Sequence, residues 1–528
     1  MPMRKAIAGL IAVAAVVGVG AALLHPKPTT PAGSVLRSRL NADIASSDPG
    51  MKRDANTDAV LLHVTEGLVA VREDGSVGPM LANSWTVSPD GRTYRFTLRQ
   101  GIRFHNGAPL TSADVKWSLD RYLAPGSRWR CKPDLSAGGI AAVTAVDTPD
   151  PATVEIVLDR PAPLFLATLA RVDCGSTAIT HRDSVGPDGQ WRYPIGTGPF
   201  RWGEWRHNQY IDLIRYAGYR PLPGGPNGNG GGKRALVDRL RFTVIPDGSA
   251  ASAALLRGSL DVLDALAPNE LGTITGAPGI KLDSARSSDF YGILIQSGAP
   301  VLRDVRMRRA LSLSLDVAAL TRVVTHGTGV PDSSPIPAVD SFYGPAERPL
   351  VKRDLAAARA LVAASGYRGE PIELLTSHSP PEFYDAAILV QAMARDAGIN
   401  IRVVDLDWAS HLARYSSGDY QAMMFGFSAR LDPSQMFGVL IGDRATDPRK
   451  VWNSPAAIDL LHQSVVTGDR AARQQVFDAL DARFRAEVPA IALYNTRRVT
   501  ALRAPVTGYR SWSAQTQRLW NVGLRNVR

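Results

Sequence analysis

The side chains best able to do chemistry in this 528-residue sequence are nine histidines, two cysteines and scattered carboxylates. His105-Asn106-Gly107 offers an imidazole with no second histidine at ligand spacing, so no metal site is expected. Cys131 and Cys174 are the only thiols, and neither sits in the context of a nucleophile. In an oxidising compartment such an even, sparse count suggests one Cys131–Cys174 disulfide. Gly-X-Ser-X-Gly, His-Glu-X-X-His and phosphate-loop patterns are all missing, so no catalytic residue is assigned and no cofactor or enzymatic activity is expected. Gly196-Thr197-Gly198 reads as a tight turn before Phe200, not a phosphate cradle. The Gly224–Gly232 stretch has no Lys-Ser/Thr ending and reads as a flexible surface loop.

The elements that must carry these residues are those of a large exported protein. A single core stops growing at roughly 250 to 300 residues, so two or more lobes are expected. Sixty Lys+Arg against 49 Asp+Glu give a net charge of +11. The basic residues are interleaved with acids and lack the blocks and spaced aromatics of a nucleic-acid face, which argues against that class of partner. At the N-terminus, Arg4 and Lys5 precede an apolar run from Ala6 to Leu24, followed by His25-Pro26. This is the pattern of an export signal, with an uncleaved membrane anchor as the alternative. No cysteine lies near the end of the run to carry a lipid.

Beyond Val60, period-two runs such as Thr93 to Leu98 alternate with Asp-Gly turns, which predicts antiparallel hairpins. Thr111-Ser112-Ala113-Asp114 predicts the capped start of a helix with Val115, Leu119 and Tyr122 on one face. Later segments alternate strand and helix signals, among them Val237–Pro246, Ser249–Arg257, Ile372–Thr376, 381–397, Ile401–Asp405 and Ala471–Glu487. An α/β architecture with an antiparallel module near the front follows.

Several blocks together resemble the family 5 extracellular solute-binding proteins, the peptide, dipeptide, nickel and oligosaccharide receptors of ABC importers. They include Glu66-Gly67-Leu68 through Met80-Leu81-Ala82 and Trp85, Gly101-Ile102-Arg103-Phe104-His105-Asn106-Gly107, Ile195 to Phe200, and Val305 to Ser312. The resemblance implies a periplasmic-binding-protein type II-like fold (cluster C), with two α/β lobes, a hinge and an inserted antiparallel α+β subdomain. Its implied boundaries are a signal peptide or anchor over 1–33, a discontinuous first lobe over 34–60, 190–286 and 497–528, an inserted subdomain over 61–189, and a further lobe over 287–496. It also implies a periplasmic monomer that captures a peptide or peptide-like ligand by hinge closure and hands it to ABC importer permease subunits in the inner membrane. A membrane-tethered sensor of the same fold is the alternative. In peptide-binding members an aspartate holds the ligand's amino terminus, and with a one-residue gap that position falls at Arg430. A guanidinium there would suit a carboxylate or phosphate and repel an ammonium group. The resemblance places Glu66, Gly67, Trp408, Phe425, Phe427, Arg430 and Asp432 in the ligand cleft.

Overall fold

The computed structural model describes residues 33–52, 54–267, 270–378, 382–430, 432–514 and 516–525. The export segment expected at the N-terminus lies outside them. Among the described residues no helix is long and apolar enough to cross a membrane.

The first lobe is organised by the alternation in Val35–Leu40, where Leu36, Ser38 and Leu40 turn inward while Arg37 and Arg39 turn outward. This strand pairs in parallel with Arg239–Val244, placing Leu36 opposite Leu240 and Ser38 opposite Phe242. Five further strands complete a seven-stranded mixed sheet, which includes Ile280–Arg286 at one edge and the adjoining Arg497–Arg503. Chain from the extreme N- and C-terminal thirds thus shares one sheet.

The antiparallel module is a four-stranded sheet in the order Ala82–Val87, Thr93–Leu98, Thr153–Leu158, Val143–Asp150. The helix Ser112–Leu123 packs on it and buries Val115, Leu119 and Tyr122. That helix begins where the sequence predicts, with a capping contact in which Asp114 accepts from the Thr111 amide at 2.9 Å and hydroxyl at 2.8 Å. Cys131 and Cys174 form a disulfide inside this core.

The remaining lobe has a six-stranded sheet in the order Val330–Pro331, Ala490–Asn495, Phe290–Ile295, Ala422–Phe427, Ile372–Thr376, Ile401–Asp405. Its strands are apolar on both faces because both are covered: Glu382–Asp396 packs on one side, while Arg470–Glu487 contributes to the core on the other. Two short segments join this lobe to the first, Ser287–Asp289 and Asn495–Thr496. The Ser287 amide donates to the Thr496 carbonyl at 2.9 Å, so the two segments cross as a pair. Each crossing is only a few residues long, which suits a hinge.

One expectation is corrected. Gly224–Gly232 is not a free loop; Pro226–Asn227 pairs with Gly230–Gly231 as a tight hairpin docked on the antiparallel module. The Asn229 amide donates to the Val71 carbonyl at 2.8 Å, and Asn227 Oδ1 accepts from the Glu73 amide at 2.8 Å. Gly228 has φ +59, and a Cβ there would lie 2.2 Å from the Val71 oxygen. Glycine is therefore required for docking, not for mobility.

Candidate ligand-binding cleft

The hinge-side end of the six-stranded sheet faces the hinge-side edge of the first lobe, and the gap contains two cavities. The larger, about 630 Å³, has Arg39, Asp247, Ala265–Ala267, Glu270 and Arg497 on its first-lobe wall, facing Tyr291, Thr325, Thr328, Glu382 and Tyr494. The smaller, about 210 Å³, has Ala55, Asp58, Arg171, Asp173 and Thr516 facing Ser428, Ala429, Arg430 and Gln435. Arg498 lines both.

Arg498 follows the hinge on the strand Arg497–Arg503. Its guanidinium forms a two-pronged pair with Asp264, Nε donating to Oδ1 at 2.9 Å and Nη2 to Oδ2. Thr500 donates to the same carboxylate at 2.8 Å. Burial works against both charges, yet the pairing prevails: Asp264 is held below the usual carboxylate range and Arg498 above its ordinary value. The partnership fixes a charged post between the cavities.

Tyr291 and Tyr494 stack with centroids 5.2 Å apart and rings 12° from parallel, forming one aromatic face of the larger cavity. Tyr494 is 2% exposed, and its hydroxyl has no hydrogen-bond partner. Burial, then Tyr291 and Glu382, hold the phenol well above its ordinary value. It therefore stays a neutral hydroxyl able to give or take a hydrogen bond. An unpaired buried hydroxyl costs about 1–3 kcal/mol, which a ligand atom facing it would recover.

Arg430 lies in the smaller cavity and reaches a neighbouring pocket with Asp340, Ser341 and Trp512, while its Nη1 donates to Ser428 at 3.0 Å. The two acids nearest in sequence have other partners: Asp419 pairs with Arg414 and Asp432 with Arg473. Asp432 lies in a buried helix cap, accepting from the Ser434 amide at 2.9 Å and from two Arg473 nitrogens at 2.7 Å. It lines neither cavity. Phe425 and Phe427 pack inside the lobe, Phe425 stacked on Tyr415 at 4.2 Å. Trp408, 37% exposed, begins its helix stacked on His411 at 5.5 Å. Glu66 is buried between the antiparallel module and the first lobe, accepting from Thr197 at 3.0 Å and Tyr219 at 2.9 Å, with the Lys233 ammonium 3.4 Å away. Gly67 packs beside it against the Ser176 carbonyl. These two residues join modules and do not border the cavities. Sequence reasoning missed Tyr291, Glu382, Tyr494 and Arg498. Asp264 and Arg498 are 234 residues apart, so local spacing carries no trace of their pairing.

A split α/β fold with a charged, aromatic-walled cleft beside the two segments that join its lobes is the architecture of a solute-binding protein. The sequence profile described as bacterial extracellular solute-binding proteins, family 5 Middle, matches residues 76–446, and the chain belongs to that family. The dipeptide-binding protein of Escherichia coli K12 is 25% identical over 488 residues, 87% of this chain and 88% of its own length. The structure of HbpA2 from Haemophilus parasuis superimposes with a TM-score of 0.79 at 24% identity, covering 93% of this chain and all of the other. AgaA from A. tumefaciens R10, solved with agropinic acid, gives a TM-score of 0.72 at 25% identity, covering 94% and 99%.

Proposed function

We propose that this chain is the periplasmic receptor of an ABC importer, closing its lobes around a peptide-like small ligand that carries both a carboxylate and a cationic group, and presenting the closed form to the permease. The observation that carries the reading is the buried, unpaired Tyr494 hydroxyl at the wall of a cavity lined by both signs of charge. Arg39 and Arg497 suit carboxylates there, whereas Asp247, Glu270 and Glu382 suit an ammonium or guanidinium group. Arg430 in the smaller chamber adds a second place for an anion. A dipeptide, the ligand class named for one relative, carries both groups, and the ligand named for another, agropinic acid, is an acid. Closure excludes water, which strengthens each of these contacts.

The test is calorimetric titration with dipeptides, acidic peptides and opines on the wild type and Tyr494→Phe. The reading expects saturable binding that weakens at least about tenfold in Tyr494→Phe, with thermal stability unchanged or raised because an orphan hydroxyl is removed. Equal affinity in both proteins would place the ligand elsewhere.

A further inference from the structure

At the end of the six-stranded sheet remote from the cleft lies a third depression, of about 350 Å³. It is separated from the hinge by the length of the six-residue strand Phe290–Ile295, roughly 17 Å at ~3.4 Å per residue. Gln296, next in the chain, forms its floor together with Tyr420. Gln296 is 1% exposed, and neither its amide nitrogen nor its amide oxygen has a hydrogen-bond partner. The Tyr420 hydroxyl lies beside that amide, but their contact falls short of a well-formed hydrogen bond. Three buried polar atoms at the base of one depression with no well-formed bond beyond their mutual contact are unusual, because buried polar groups are nearly always paired.

The rim supplies charge of both signs. Arg444 donates to the Gly418 carbonyl at 3.1 Å and pairs with no carboxylate among the described residues. The rim also carries Glu373, paired with Arg402, and Asp419, 3.1 Å from Arg414 Nε. A carboxylate set against Arg444 could accept from the Gln296 amide and the Tyr420 hydroxyl, while an ammonium group beside it would meet Asp419 and Glu373. At this volume the depression is near the small end of the range for ligand pockets, about 300–1,000 Å³.

We propose that the lobe carrying Gln296 has a second small-molecule site, separate from the interlobe cleft, that takes an amino-acid-sized zwitterion. The site does not depend on the cleft reading, since no residue lines both. Two outcomes are separable because replacing an unsatisfied buried amide by an apolar group of like shape stabilises a protein unless the amide is used.

The experiment titrates the full chain with glycine, L-glutamine and L-leucine, with acetate and ethylamine as half-ligands, and soaks its crystals with whichever amino acid binds. The expected result is density over Gln296 and Arg444, at least about tenfold weaker binding of acetate and ethylamine, and a similar loss in both Gln296→Leu and Arg444→Ser, with cleft binding intact. If the amino acids bind only in the cleft, or not at all, or if Gln296→Leu raises thermal stability without loss of binding, the proposal is overturned.

Discussion

Thr496 and Asp289 meet across the two segments that join the lobes: the Thr496 amide donates to Asp289 Oδ1 at 2.8 Å and its hydroxyl donates to Oδ2. Asn495 adds a bond to the Asp289 carbonyl at 2.6 Å. One carboxylate thus ties the outgoing crossing to the returning one.

Asp289→Ala removes both side-chain bonds and leaves the Thr496 donors without that partner. Charge-assisted bonds contribute about 1.5–3 kcal/mol each, so the variant should lose a few kcal/mol of stability. Small-angle scattering of the unliganded variant should show a broader, more open distribution than the wild type. An unchanged scattering profile would mean that the crossings do not depend on this tie.

Arg498→Ala leaves Asp264 buried without its cation, a change that costs about 3–5 kcal/mol. Denaturant unfolding should show that loss. The double variant Asp264→Ala with Arg498→Ala should recover part of it, because no unpaired charge remains. A double variant as unstable as the sum of the single ones would exclude the coupling.

The capped helix after Thr111 was legible because Thr111 and Asp114 are three residues apart and act locally. The strands Ile372–Thr376 and Ile401–Asp405 were legible as short strand signals alternating with helix signals. The glycine-rich hairpin was misread because its docking partners, Val71 and Glu73, lie more than 150 residues earlier. The cleft was the least legible part, since its walls come from both ends of the chain. Asp432 illustrates the converse: an acid that looks available in sequence is consumed by Arg473, 41 residues on.

Buried groups shape the pH dependence, Asp332 and His63 among them. Burial raises Asp332 to about 7, and burial lowers His63 to about 3. Asp332 holds its proton more tightly when folded, so its contribution to stability falls as pH rises from about 4 to 7. His63 resists protonation when folded, so its contribution rises over about 3 to 6.5. The two oppose each other up to about pH 6.5; above that the His63 rise is complete, and the Asp332 decline continues beside that of Asp340, which burial also raises to about 7. In Asp332→Asn the melting temperature should climb more steeply between pH 4.5 and 6.5 than in the wild type and stay flatter from 6.5 to 7.5. Parallel pH curves would contradict the assignment.

The Cys131–Cys174 bond closes a separation of 43 residues. On a chain-entropy account its loss costs roughly 4 kcal/mol. Cys131→Ser with Cys174→Ser should lower the melting temperature by several degrees, and a reductant should do the same to the wild type alone. A reductant effect that persists in the double variant would point to another cause.

Native mass spectrometry of the protein purified gently from the cells that export it tests the central claim most directly. The account predicts a folded species carrying a stoichiometric small adduct, released on denaturation and diminished in Tyr494→Phe and Arg430→Ala. A protein that stays empty, and gains no mass on exposure to peptides, opines or their host's growth medium, would contradict a ligand-enclosing receptor.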